Sequence, residues 1–215
     1  MSAVAATLAD VREMLTECAA AQEKATADWH EAEPGLADSS PAGPREAFSA
    51  LVLAQHLANF RLWHVEDEAR RTDVGPEVIA DCKRRIDRLN QERNDLIEKV
   101  DAALIGLMAP LLPANASERR NTETVGMAVD RLSILALKVF HMAEQTRRAD
   151  AEQAHREACA AKLDVLLEQR ADLLAAIVDL VAEYAAGTKR PKVYFQFKMY
   201  NDPALNPALY GAAKK

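Results

Sequence analysis

Apolar residues recur at helical spacing along most of the chain. Between residues 3 and 32, Val4, Leu8, Val11, Leu15 and Cys18 fall on one side, which predicts a first amphipathic helix. The stretch EPGLADSSPAGPRE (33–46) holds three prolines and two glycines and reads as a loop. A second helix is predicted from about Glu46 to Arg71 and a third over 76–108. Pro76 suits the first turn of the third, where no amide donor is needed. APLLPANASERRN (109–121) is a second loop, broken by Pro110 and Pro113. From Thr122 to Ala186 there is no proline, and Gly126 is the only glycine. Globular helices rarely run so far, so two helices joined near EQTRRADAEQ (144–153) are expected, with Gly187 as the final cap.

The period then changes. In KVYFQFKMY (192–200), Val193, Phe195, Phe197 and Met199 alternate onto one side, and no partner strand is visible elsewhere. The expected architecture is therefore all-α: a multi-helix bundle of about five helices over residues 1–191. Residues 192–215 would form an extended, strand-like arm packed on the bundle or on a partner subunit.

Composition narrows the class. With 49% hydrophobic and 28% charged residues the chain has the balance of a soluble globular protein. A formal net charge of −6 argues against nucleic acid as a partner. Cys18, Cys82 and Cys159 are odd in number and far apart, which points to reduced thiols rather than a disulfide or zinc framework. The most apolar run, LLAAIVDLVA (173–182), is short and carries Asp179, so no membrane span is expected. Asp10, Arg12 and Glu13 leave no apolar signal segment at the start, and a cytoplasmic location is the expectation.

The informative anomaly is polar residues set within apolar stripes. On the second helix Leu53, His56, Phe60, Trp63 and Asp67 share a face, flanked by Asn59 and Arg70, opposite Arg61, Val65 and Glu68. On the third, Asn90 and Arg93 sit inside the stripe of Ile86, Ile97, Val100 and Leu104. On the last, His155, Lys162 and Gln169 align with Cys159, Leu166, Leu173, Ile177 and Tyr184. The fourth carries Glu123, Asp130, Lys138, His141, Gln145 and Arg148 on one side. Buried polar groups must find partners, so these side chains should meet one another, water or a ligand.

Arg70, Arg93, Lys138, Arg148 and Lys162 outnumber Asp67, Glu123 and Asp130, which favours a small anionic, phosphorylated ligand gripped by guanidinium forks. Arg131 would join that grip, Trp63 would supply a stacking wall, and His64 and His141 are the proton carriers if the site is catalytic. No GxGxxG, P-loop, HExxH or GxSxG fixes a reaction. No cofactor is indicated, and a divalent metal is the alternative. Three pairs have i,i+3 spacing that could serve a metal: His64/Asp67, Glu98/Asp101 and His141/Glu144. The metal-dependent alternative uses Glu66, Asp67, Glu98 and Asp101, because the Glu98–Asp101 spacing resembles that of helical nucleoside-triphosphate pyrophosphatases. A third alternative is a scaffold in which the polar seam only sets helix register and the arm drives homo-oligomer formation.

From about residue 50 the chain resembles a bacterial family, domain of unknown function 4254. The segments that carry the resemblance are NFRLWHVEDEAR (59–70), CKRRIDRLNQERNDLIEKVD (82–101), NTETVGMAVDRLSILALKVFHMAEQTRRADA (121–151), KLDVLLEQRADL (162–173) and QFKMYNDPALNPALY (196–210). The resemblance brings no assigned activity. It implies a link to cell-envelope glycan metabolism and weight for Asn59, Trp63, His64, Glu66, Asp67, Arg70, Asn90, Gln91 and Arg93. It does the same for Arg131, Lys138, His141, Glu144, Gln145 and Arg148 on the fourth helix.

Overall fold

Five long helices account for nearly all of the regular structure. A computed structural model of the chain describes residues 7–34, 41–199 and 202–212. Helix α1 (Leu8–Glu31) begins at a capping box in which Thr7 and Asp10 satisfy each other's backbone amides. Helices α2 (Pro44–Glu68) and α3 (Pro76–Met108) each start on a proline that follows a glycine, as the Pro76 reading expects. A short 3-10 turn, Ala109–Leu111, ends α3. Helix α4 (Val125–Arg147) is capped by Thr124, whose hydroxyl accepts from the Met127 amide at 3.1 Å. Helix α5 (Gln153–Ala185) stops before Gly187, whose φ of +71° takes the left-handed turn that a side chain would resist. The stretch 122–186 is thus two helices, with the break at 148–152.

The short connections make two helical hairpins, α2 against α3 and α4 against α5. Helix α1 lies across α4, α2 and α5 and closes the bundle. Their shared interior holds Met14, Leu15, Phe48, Val52, Val100, Leu104, Val129, Leu132, Ile177 and Val181. No helix among the described residues is long and apolar enough to cross a membrane. Cys18, Cys82 and Cys159 are free and buried.

Two faces differ from the helical-wheel reading. Val65, placed opposite the α2 stripe, is buried together with Phe60 and Leu62, because α2 is wrapped by α1, α3 and α4 at once. On α5, Lys162 and Gln169 are exposed, and Arg170 is the charge that goes inside, donating to the Ala19 carbonyl at 2.6 Å. Residues 191–198 form neither helix nor strand, and the arm ends in a short helix α6 (Pro207–Ala212). The arm touches the bundle where the Gln196 amide donates to Glu98 at 2.8 Å. Val4, the middle of the 33–46 loop, Tyr200 and Asn201 lie outside the described residues.

Candidate functional site

The polar positions of α2, α3 and α4 meet around one buried carboxylate. Asp130 of α4 accepts from Arg93 of α3 through Nε at 2.8 Å and also through Nη2, a two-pronged ion pair. Gln55 and Asn59 of α2 donate to the same Asp130 oxygen, Asn59 at 2.9 Å. Asn59 also donates to the Ser133 hydroxyl at 2.9 Å, and that hydroxyl bonds His56 Nδ1 at 2.7 Å. The far side of the His56 ring is 3.0 Å from the Thr26 hydroxyl on α1. Burial holds His56 neutral, with its pKa pushed down to about 4. The hydrogen bonds that Arg93 donates to Asp130 hold it charged, above the ordinary arginine range. Asn59 and Arg93 stand within apolar stripes because each has a partner waiting on a neighbouring helix.

In front of the Arg93–Asp130 pair lies a cleft of about 290 Å³ between α2, α3 and α4. Its lining includes Asn59, Trp63, Asp67, Arg70, Asn90 and Arg93. Trp63 is held by stacking on His141, with ring centres 4.8 Å apart and planes at 11°. The other sequence candidates lie elsewhere. Lys138, Gln145 and His141 line a broader, mainly apolar groove of about 780 Å³ between α4 and α5. Arg131 and Lys138 border a depression of about 530 Å³ beside Asp172. Arg148 sits in the α4–α5 turn, away from all three.

Four of the cationic candidates are paired in this geometry. Arg70 pairs with Glu66 at 2.8 Å, Arg131 with Glu123 at 2.8 Å and Arg148 with Asp150 at 2.6 Å, while Arg93 pairs with Asp130. Each of the four guanidiniums has a local carboxylate partner; Arg70 and Arg93 line the cleft of about 290 Å³ together, whereas Arg131 and Arg148 lie outside it. The carboxylates of the acidic metal alternative are engaged separately as well. Glu66 is taken by Arg70, and Glu98 accepts from the arm. Asp101 is buried against the start of α4, where it accepts from the Gly126 amide at 2.6 Å. Burial pushes the Asp101 carboxyl up, and the Thr124 hydroxyl and Gly126 amide pull it back down. These four carboxylates do not gather, and Asp101 serves as a cap for a helix N-terminus.

His64 and His141 do come together, and a residue not singled out from the sequence joins them. His30, in the last turn of α1, lies with its ring centre 5.1 Å from that of His64 and 4.9 Å from that of His141. The only sequence sign of it was an aromatic pair, Trp29–His30, closing an otherwise aliphatic helix. A lone histidine at a helix C-terminus reads as a dipole partner, so its distant neighbours were invisible.

The family model described as "Protein of unknown function (DUF4254)" matches residues 49–193, more than half of the chain. The chain belongs to the DUF4254 family. The DUF4254 span takes in all of α3, α4 and α5 and most of α2, hence the cleft, His64 and His141, but not α1 or His30. No curated protein and no solved structure matches the chain.

Proposed function

We propose that this DUF4254 protein binds a small anionic ligand, a phosphorylated compound with a hydroxylated ring, in the cleft between α2, α3 and α4. The observation that carries this reading is the gathering of Asn59, Trp63, Asp67, Arg70, Asn90 and Arg93 around one cleft from two separate helices. Asp130 engages Arg93 through Nε and Nη2, which fixes the guanidinium and leaves its Nη1 outside the pair. Arg70 spends its Nη1 on Glu66, and Nη2 stays outside that contact. A pre-positioned guanidinium loses little entropy on meeting a phosphate. Asp67 and the Asn90 amide supply an acceptor and a donor for ring hydroxyls. One face of Trp63 is covered by His141, and the other serves as a wall for the ring. A cleft of about 290 Å³ is at the small end for a ligand site, which favours a single ring over a larger conjugate.

The arm supports the anionic character. Lys198 is pushed below the ordinary lysine range, first by desolvation and then by the Arg93 guanidinium near it. An anion between the two cations relieves that repulsion. In this reading the partner is a small molecule rather than nucleic acid, and the setting is bacterial, cytoplasmic and linked to cell-envelope glycan precursors. The protein would work as a homo-oligomer.

The test is native mass spectrometry of the purified chain, followed by calorimetric titration with a panel of monosaccharide and nucleotide phosphates. A carried or titrated phosphate ester is expected. Arg70→Gln should weaken it by about tenfold or more, the loss of one hydrogen bond to a charged group, and Asn90→Ala by about two- to tenfold, the loss of one neutral hydrogen bond. Binding that is absent, or indifferent to both substitutions, removes the cleft from consideration.

A further inference from the structure

His30, His64 and His141 reach one another from three helices, and the way each ring is tied decides what the cluster can hold. His30 Nδ1 lies 2.6 Å from the Thr26 carbonyl, and His64 Nδ1 lies 2.8 Å from the Phe60 carbonyl. A carbonyl only accepts, so both rings carry their proton on Nδ1. His141 Nδ1 is 2.9 Å from a Glu144 carboxylate oxygen, which places its proton in the same way. Each ring therefore keeps a bare lone pair on Nε2. One ring nitrogen from each histidine lies within 4.8 Å of the other two. The Nε2 atoms of His30 and His141 are buried with no hydrogen-bond partner.

Converging acceptors without a donor are costly to leave unsatisfied in a protein interior. A metal ion satisfies all three lone pairs at once. We propose that His30, His64 and His141 form a binding site for a divalent transition metal of the zinc class, ligated through three Nε2 atoms.

Three features fit that chemistry. Neutral imidazoles select zinc, copper, nickel or iron over magnesium and calcium, which prefer oxygen donors. Each Nδ1–H is spent on a carbonyl or carboxylate, the outer contact that fixes the tautomer and raises the basicity of a ligating histidine. The rings are also clamped. His30 stacks on Phe140 with centres 4.1 Å apart, and His141 stacks on Trp63. Metal–nitrogen bonds of about 2.0–2.1 Å require the nitrogens to draw in by roughly 1 Å, a side-chain adjustment within reach of the exposed His64. Three protein ligands leave a fourth position open, the arrangement of zinc sites that activate water. His64 also lines a cleft of about 460 Å³ whose wall mixes Arg61, Arg85 and Arg88 with Glu33 and Glu92.

Tag-free, full-length protein stripped with a chelator and titrated with Zn²⁺ alone tests the site. The wild type is expected to take up one equivalent. Its unfolding temperature should rise with Zn²⁺ and stay put with Mg²⁺. His64→Ala, at an exposed position, should abolish the uptake while melting like the metal-free wild type. Glu144→Gln should weaken uptake by about 10- to 100-fold. His155→Ala removes the separate His155–Cys159 contact of 3.5 Å and should change nothing. Imidazole ¹⁵N resonances of the wild type supply a readout that needs no variant: three Nε2 signals should shift together on adding Zn²⁺. Uptake that is absent, that survives His64→Ala, or that leaves the three Nε2 signals unmoved overturns the site. None of these readings depends on phosphate binding in the α2–α3–α4 cleft, so the two proposals fail separately.

Discussion

His56 shows how a single buried ring can set the acid limit of the whole chain. In the unfolded chain its imidazole titrates near 6.5, but burial holds it near 4 in the folded state. Below pH 6.5 the unfolded state binds a proton that the folded state refuses, so stability is fully present above that pH and drains away as pH falls towards 4. The loss reaches about 3 kcal/mol across that window. Urea unfolding of wild type and His56→Gln at steps from pH 7.5 to 4.5 checks it. The wild type should lose the more stability, and equal slopes would refute the assignment. Gly126 is constrained by space rather than charge. A Cβ there would lie 2.6 Å from the Ile97 carbonyl and 2.8 Å from the Asp101 carboxyl carbon, so α4 approaches α3 closely only because that position is bare. Gly126→Ala should cost about 1–3 kcal/mol in the same assay, since backbone must move to admit it. At this scale the sequence said which α2 and α3 residues would matter, because Asn59, Asp67, Arg70, Asn90 and Arg93 break an apolar stripe. It could not say that Arg93 belongs to Asp130 or that His30 belongs to His64. Those pairings join residues 37 and 34 positions apart, through a packing that periodicity does not encode.

Among the elements, the start of α4 is where a carboxylate read as chemistry turns out to hold architecture. Asp101 on α3 accepts the Gly126 amide in the first turn of α4, and Thr124 caps the same turn from within the chain. The N-terminal end of a helix carries partial positive charge, so a buried carboxylate there ties α3 to α4. Asp101→Ala removes the acceptor and leaves the buried Gly126 amide unpaired. It should destabilise by about 1–2 kcal/mol and raise amide exchange at Gly126 and Met127 before that of α5. Uniform exchange across α4 and α5 would mean the contact holds nothing together locally. Helix limits were legible for a plain reason: Pro76, the polar 144–153 stretch and Gly187 are local signals, and local signals are what a sequence displays. Which side of a helix is inside was less legible. A wheel assumes one buried face, whereas α2 is covered from three directions and buries Val65 as well as Phe60.

For the molecule as a whole, the arm after Pro191 is the part whose role the bundle does not explain. Phe195 is 64% exposed and Phe197 85% exposed, with Met199 and Tyr194 also open to solvent. Exposed aromatics that alternate along one short segment are unusual on a chain whose Trp29, Phe48, Phe60, Trp63 and Phe140 are all buried or half-buried. Among the described residues the segment is tied to α3 by the Gln196–Glu98 hydrogen bond, a polar contact that contributes about 1 kcal/mol. Removing residues 192–215 should therefore leave the melting temperature of the bundle within a few degrees of its original value. If the aromatics are covered by a second copy, the same deletion should convert a homo-oligomer to a monomer in size-exclusion chromatography with light scattering. It should also weaken phosphate-ester binding, because Lys198 leaves the neighbourhood of Arg93. The three readouts separate the roles of the arm. A large drop in melting temperature makes it part of the core, and an unchanged mass removes it from self-association. An unchanged affinity removes Lys198 from the cleft.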